Sequence, residues 1–223
     1  MSKFYFLIIL SLTFLINDLD ASISGDPGTI IAIKLNNENK TTNNLTVNIM
    51  GEIYELIPLP FDKQGKSILI NNESIYVNNK DFGESRIKIA NTSMVTLSEE
   101  DSQRAYKESQ IIKNTLNSYT TVYKPEFNFI QPVDGIVSSR YGKRRFINDL
   151  PRSPHLALDI AALSGTKIVA PAKGKIILIG DFFYSGNYII IDHGHGLLTS
   201  YSHLSKVNVA ENQFVEQGQK IGE

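Results

Sequence analysis

From Phe127 to its last residue the chain never sustains an apolar run longer than a β-strand before glycine, proline or asparagine closes it. The runs are GIVSS, ALDIAA, TKIVAP, GKIILIG, NYIIIDHG, LLTSYSHL and FVEQGQKIG, and ten of the fifteen glycines punctuate them. Nothing in this stretch carries a long 3.6-residue period, so helices cannot build its core. The pattern predicts short antiparallel strands joined by tight turns.

Residues 22–96 have a related texture with a different punctuation. TIIAIKL, LTVNIMG, YELIPLPF, KSILIN, ESIYVNN and SRIKIA alternate or cluster apolar residues between Asn, Gly and Asp turn formers. The expectation is a small β-sandwich-like accessory domain. It holds no histidine, and so no obvious catalytic equipment; it reads as a binding, docking or inhibitory module. The period changes at Leu97. Ser98 followed by Glu99, Glu100 and Asp101 is a helix N-terminus signature, with acidic side chains where the helix dipole favours them. Ala105, Ile111, Ile112 and Leu116 add an apolar stripe. The aperiodic SYTTVYKPEF closes a helix-and-linker segment over 97–127. The expected fold is therefore mainly β: a sandwich-like N-terminal domain, a short helix and linker, and a C-terminal antiparallel β-sheet domain over 128–223.

Composition narrows the chemistry. A formal net charge of −1 gives no electrostatic reason to expect nucleic acid. Cysteine is absent, which removes disulfides, thiolate metal sites and cysteine nucleophiles, so any metal must be held by His, Asp or Glu. At the N-terminus Lys3 precedes a nearly unbroken apolar run from Phe4 to Ile16, too short for a bilayer span, which needs about 20 residues. Ala21 before Ser22 suits cleavage of a signal peptide over 1–21, leaving no stable membrane span, although Leu19 is bulkier than the favoured pattern. The alternative is an uncleaved anchor. Either way the chain is expected to be exported to the periplasm or cell envelope of a bacterium.

All four histidines, His155, His193, His195 and His203, lie after residue 154. His155 and Asp159 are four apart, so either a strand or a helical turn would place them on one face, with small Ala157 between them. Imidazole and carboxylate suit zinc, but a catalytic site needs three protein ligands. Spacing alone leaves open an ordinary hydrogen-bonded histidine. His193 and His195 are two apart, yet glycines on both sides of His195 make a turn at least as good a reading as a ligand pair. In LLTSYSHL, alternation would put Thr199, Tyr201 and His203 on one polar and aromatic face.

The order PVDGIVSSRYGKRR, PHLALDIAALSGTKIVAPAKGKIILIG, GNYIIIDHGHGLLTSYSHL and VEQGQKIGE resembles the lysostaphin-like (LytM-like) zinc metallopeptidases, which are peptidoglycan endopeptidases. The resemblance runs over about residues 128–223 and rests on several short motifs in one order: H-x-x-x-D, D-H-G-x-G, Y-x-H-L and G-Q-x-I-G. It implies that His155 and Asp159 are ligands of Zn2+ and that His203 is the catalytic histidine. Zinc in such a site lowers the pKa of its bound water towards about 7 and polarises the scissile carbonyl. His193 matches a non-ligand position of the turn, and His195 its variable position. In the family an H-x-H segment follows the G-Q-x-I-G strand and supplies the third ligand; the chain stops at Gly222-Glu223, before it. The resemblance thus implies a truncated metallopeptidase domain with two of three zinc ligands. The implied activity is an exported zinc metalloendopeptidase acting on peptidoglycan peptide stems or cross-links. The alternative is a non-catalytic scaffold of the same fold that binds cell wall or activates a separate cell-wall hydrolase. Without the resemblance, an exported β-sandwich adhesin or carbohydrate-binding module remains open.

Overall fold

The computed structural model describes residues 23–35, 45–70, 73–90 and 96–223. The expected signal peptide at 1–21 lies outside the described residues. The strands of the first half are β1 (Ile23–Gly25), β2 (Ile30–Lys34), β3 (Thr46–Ile49), β4 (Glu52–Pro58), β5 (Lys66–Ile70), β6 (Glu73–Val77) and β7 (Glu84–Ile87). Helix α1 (Glu99–Leu116) follows, then β8 (Ile136–Ser139), β9 (Arg144–Ile147), β10 (Leu150–Arg152), β11 (Asp159–Ala161) and β12 (Ile168–Val169). The last strands are β13 (Gly174–Phe182), β14 (Gly186–Asp192), β15 (Leu198–Leu204), β16 (Phe214–Val215) and β17 (Lys220–Gly222). Among the described residues the chain is mainly β with one long helix, as the patterning predicts.

Two compact units form, and they do not follow a single cut in the sequence. One draws on Ile9–Lys88 and Ser139–Leu158, the other on Ile89–Ser138 and Asp159–Glu223 among the described residues.

In the first unit, β2-β4-β3 make one antiparallel sheet, and β1-β6-β5 another in which β1 and β6 run parallel. Ile31 and Ile57 from the first sheet and Ile75 and Val77 from the second share one buried cluster with Leu59. Two sheets facing across a common apolar layer is sandwich packing. The link from β1 to β2 is Asp26-Pro27-Gly28-Thr29, closed by the Thr29 N–H on the Asp26 carbonyl. Pro at the second position and Gly28 at the third, with φ of +80°, are what a type II turn requires. The third sheet, β10-β9-β7, joins distant sequence. β9 and β10 form a hairpin through Asn148 and Asp149, both at positive φ, as a two-residue turn needs. β9 then runs parallel to β7, with Glu84 opposite Arg144.

In the second unit, β15-β14-β13-β16 form one antiparallel sheet. β14 is its central buried strand, with Tyr188 to Asp192 all buried. Ile189 and Ile191 pack with Ala170, Ile176, Leu204, Val215 and Ile221. Tyr188 and Ile190, on the other face, pack with Leu178 and Phe182, and Ile112 of α1 packs against them. A bulge between Ile176 and Leu178 lets β13 serve both layers, since Ile176 faces one cluster and Leu178 the other. α1 begins at N-cap Ser98, whose side chain accepts from the Asp101 N–H at 3.1 Å. It holds the β13–β14 turn through Glu108, which accepts the Phe183 N–H at 2.6 Å, and through Arg104 on the Asp181 carbonyl.

Truncating Ile189, wholly buried between these layers, to Ala will cost about 2–5 kcal/mol in urea unfolding. Ile53→Ala, at a position 48% exposed, will stay within about 0.5 kcal/mol of the parent.

Candidate active site

His155 lies in the coil between β10 and β11, 4% exposed. Its N–H donates to the Lys143 carbonyl at 2.9 Å and its own carbonyl accepts the Gly142 N–H at 2.6 Å. The ring nitrogen Nδ1 lies 3.1 Å from the Arg140 carbonyl and 3.3 Å from Ser139 Oγ. A carbonyl can only accept, so Nδ1 carries the proton and, in the neutral ring, Nε2 holds the lone pair. That is how a carbonyl fixes an imidazole for metal binding through Nε2. Asp159 opens β11, which pairs with β8. Gly135, just before β8, must lack a side chain, because a Cβ there would fall 2.4 Å from the Ala161 carbonyl oxygen. Contrary to the strand reading, His155 and Asp159 do not share a strand. They belong to the two different compact units.

His203 stands near the end of β15. Asn187 pairs with Leu204 and Ile189 with Tyr201, so Ser202 and His203 together face Tyr188 alone. This bulge gives His203 a left-handed backbone, φ +61°, and its N–H donates to the Ser185 carbonyl at 2.7 Å. The alternation expected across Thr199, Tyr201 and His203 therefore breaks. Tyr201 packs on the core beside Leu204, and the His203 side chain is exposed. A non-glycine residue held in this region costs on the order of 1–3 kcal/mol and points to a site that needs that orientation. The bulge was not legible in the alternating sequence, because it is set by register against β14.

His193 and His195 do not form a ligand pair. His193 is 1% exposed. Its Nδ1 donates to the Lys173 carbonyl at 2.7 Å, while Nε2 accepts from Thr199 Oγ1 at 2.7 Å, which in turn accepts from the Tyr201 hydroxyl at 2.8 Å. Both ring nitrogens are thereby used inside the protein. Burial pushes the His193 pKa below its ordinary value, against the opposing effect of the Lys173 carbonyl and Asp192. The Tyr201 phenol is held neutral by burial. His195 sits in the turn between Gly194 and Gly196 at φ +51°, its ring near Tyr119.

Among the described residues no cluster of three or more His, Cys, Asp or Glu side chains is placed to hold a metal. The donors present fit zinc by type, and His155 also by tautomer.

Two outcomes follow from this geometry. A histidine whose folded pKa is depressed contributes stability that is complete above its unfolded pKa, about 6.5, and is lost as pH falls towards the folded value. Thermal midpoints will therefore drop between pH 7.5 and 5.5, and His193→Gln, less stable throughout, will lose that part of the slope. His203→Gly will leave stability unchanged or raise it by about 1 kcal/mol by relieving the left-handed backbone, as read by denaturant midpoint.

Residues 153–223 match Peptidase family M23. The peptidoglycan DD-endopeptidase ShyA of Vibrio cholerae serotype O1 is 37% identical over 94 residues, 41% of this chain and 22% of that protein. The murein hydrolase activator NlpD of Salmonella dublin is 34% identical over 105 residues, 47% of this chain and 26% of that protein. The chain thus spans only about a fifth to a quarter of these relatives' length. A solved structure assigned to peptidase M23 from Pseudomonas aeruginosa superposes with a TM-score of 0.65 at 25% identity, covering 92% of this chain and 83% of that one. The motif order, the β-sheet architecture and these relatives agree that the C-terminal segment of this chain is similar to Peptidase family M23.

Proposed function

We propose that the protein is an exported zinc-dependent endopeptidase that hydrolyses peptide bonds in bacterial peptidoglycan. The observation that supports this reading is His155, a buried imidazole whose Nδ1 is tied to the Arg140 carbonyl, the arrangement by which a carbonyl orients a metal-binding histidine. His155 and Asp159 would hold the zinc, which when bound activates water and polarises the scissile carbonyl. His203, exposed on its bulge, would hold or pass a proton at the reacting oxygen atoms and donate a hydrogen bond to the developing oxyanion. The similarity to relatives named for peptidoglycan and murein supports the envelope location and the peptide-stem substrate of this reading.

One observation favours a second reading, an activator of a separate cell-wall hydrolase. The described residues gather no set of three metal donors, and NlpD, a murein hydrolase activator, is among the relatives.

Purified peptidoglycan will distinguish the two. The endopeptidase releases peptide fragments in a reaction that a chelator stops and added zinc restores. His155→Ala will remove bound zinc and activity together, whereas His203→Ala will keep the zinc and lower kcat by about 10²–10³-fold. No chelator-sensitive release, combined with stimulation of an added cell-wall hydrolase, would establish the activator instead.

A further inference from the structure

The β-rich N-terminal segment contains no histidine, yet it holds the turn that holds His155. We propose that Phe61 and Phe82, with Gly28 and Gly142, form an aromatic clamp on Tyr141 that positions the His155 imidazole for the cation. This rests on the reading of His155 as a zinc ligand and gives the N-terminal segment a positioning role toward that residue.

The clamp is built from three rings. Tyr141 meets Phe82 edge-on at 5.8 Å between centroids and Phe61 at 6.0 Å, and Phe61 and Phe82 lie 5.8 Å apart. Such edge contacts add to the area the rings bury. Two glycines let the backbone come close enough. A Cβ on Gly28 would fall 2.2 Å from the Tyr141 ring, and one on Gly142 would fall 2.3 Å from the Phe82 ring. Both glycines also occupy positive φ, +80° and +89°, which disfavours any replacement twice over. The backbone fastens the same place, because the Arg144 N–H donates to the Gly83 carbonyl at 3.0 Å where β9 begins to run beside β7.

The clamped turn, residues 139–143, is the one that fixes His155. Gly142 and Lys143 bond both backbone groups of His155, while Arg140 and Ser139 bond Nδ1. The chain from Phe82 to the imidazole is therefore ring on ring, ring to turn, and turn to Nδ1, all within one compact unit. If Tyr141 and Gly142 shift, the Arg140 carbonyl moves off Nδ1 and the ring is free to exchange tautomers and rotate. The Tyr141 phenol stays neutral in this setting, its pKa raised by burial, so the clamp acts by packing and not by charge.

Long-range proton–nitrogen spectra of the imidazoles in the metal-free protein test this directly. In the parent, His155 will show a protonated Nδ1 and an unprotonated Nε2. Phe82→Leu, and separately Gly142→Ala, will move both His155 nitrogen signals towards the average of two tautomers, with the His193 signals unmoved. In chelator competition the same variants will bind zinc about tenfold more weakly or worse, as loss of an outer partner of a metal ligand does. Phe82→Tyr will retain the parent behaviour. Ile57→Val, a change in the apolar layer of the same unit, will destabilise the unit without moving the His155 signals. The proposal is overturned if folded Phe82→Leu and Gly142→Ala proteins keep the parent His155 spectrum, or if Ile57→Val perturbs it equally. Should the parent take up no zinc, the endopeptidase reading fails while the tautomer measurement still decides whether the clamp positions the ring.

Discussion

The burial of β14 on both faces is the constraint on which the second unit depends. Its residues alternate between two apolar layers, Ile189 and Ile191 into one and Tyr188 and Ile190 into the other. Neither face can meet water, and neither edge can go without hydrogen bonds. β13 and β15 supply the bonds, and α1 with Phe182 helps cover the second layer. Once β14 is fixed, its C-terminal end places His193 against the Lys173 carbonyl and Thr199. Its N-terminal end sets the register that forces β15 to bulge at His203. A core histidine and a candidate catalytic histidine thus owe their opposite environments to the two ends of one strand.

Much of this was legible in the sequence, for identifiable reasons. Strand-length runs closed by glycine, proline or asparagine locate most strands, because turns favour these residues, but β1 and the β9–β10 hairpin lie in none of those runs. Ser98 and the acids after it mark the start of α1 because unpaired N–H groups demand acceptors there. The bulges were not legible. Alternation in LLTSYSHL is consistent with an unbroken strand, and only the pairing of Asn187 with Leu204 beside Ile189 with Tyr201 shows an inserted residue. Nor does the four-residue interval from His155 to Asp159 reveal that a chain turning out of β10 delivers one and the start of β11 the other. His193 could be told from a ligand only through its partners, one of them twenty residues earlier in the chain.

The relatives include a DD-endopeptidase and a murein hydrolase activator, and a catalytic zinc site requires a full set of three protein donors. A histidine fixed by a carbonyl and a nearby aspartate in the sequence are compatible with a catalytic cation. The same fold with fewer donors retains the shape of the sheet and loses the Lewis acid. Fold and chemistry are therefore separable here. The burial of β14 and the bulge at His203 belong to the fold, whereas any zinc dependence would rest on individual side chains.

The parallel pairing of β7 with β9 carries a consequence for how the chain matures. Glu84–Ile87 finds its partner only after about sixty more residues have followed it, including all of α1. Contacts so distant in sequence form late and slowly, since the intervening loop must close first. A chain emerging from its N-terminus can assemble β1 to β6 early. β7 must then wait with an open edge until Arg144–Ile147 arrives, and open edges invite pairing with other chains. Arg86 and Glu84, whose charges lie on β7 itself, are side chains of the kind that discourage such pairing. The interval between the two strands is therefore a window of vulnerability during synthesis, and it closes when the segment that carries His155 is drawn into the N-terminal sheets.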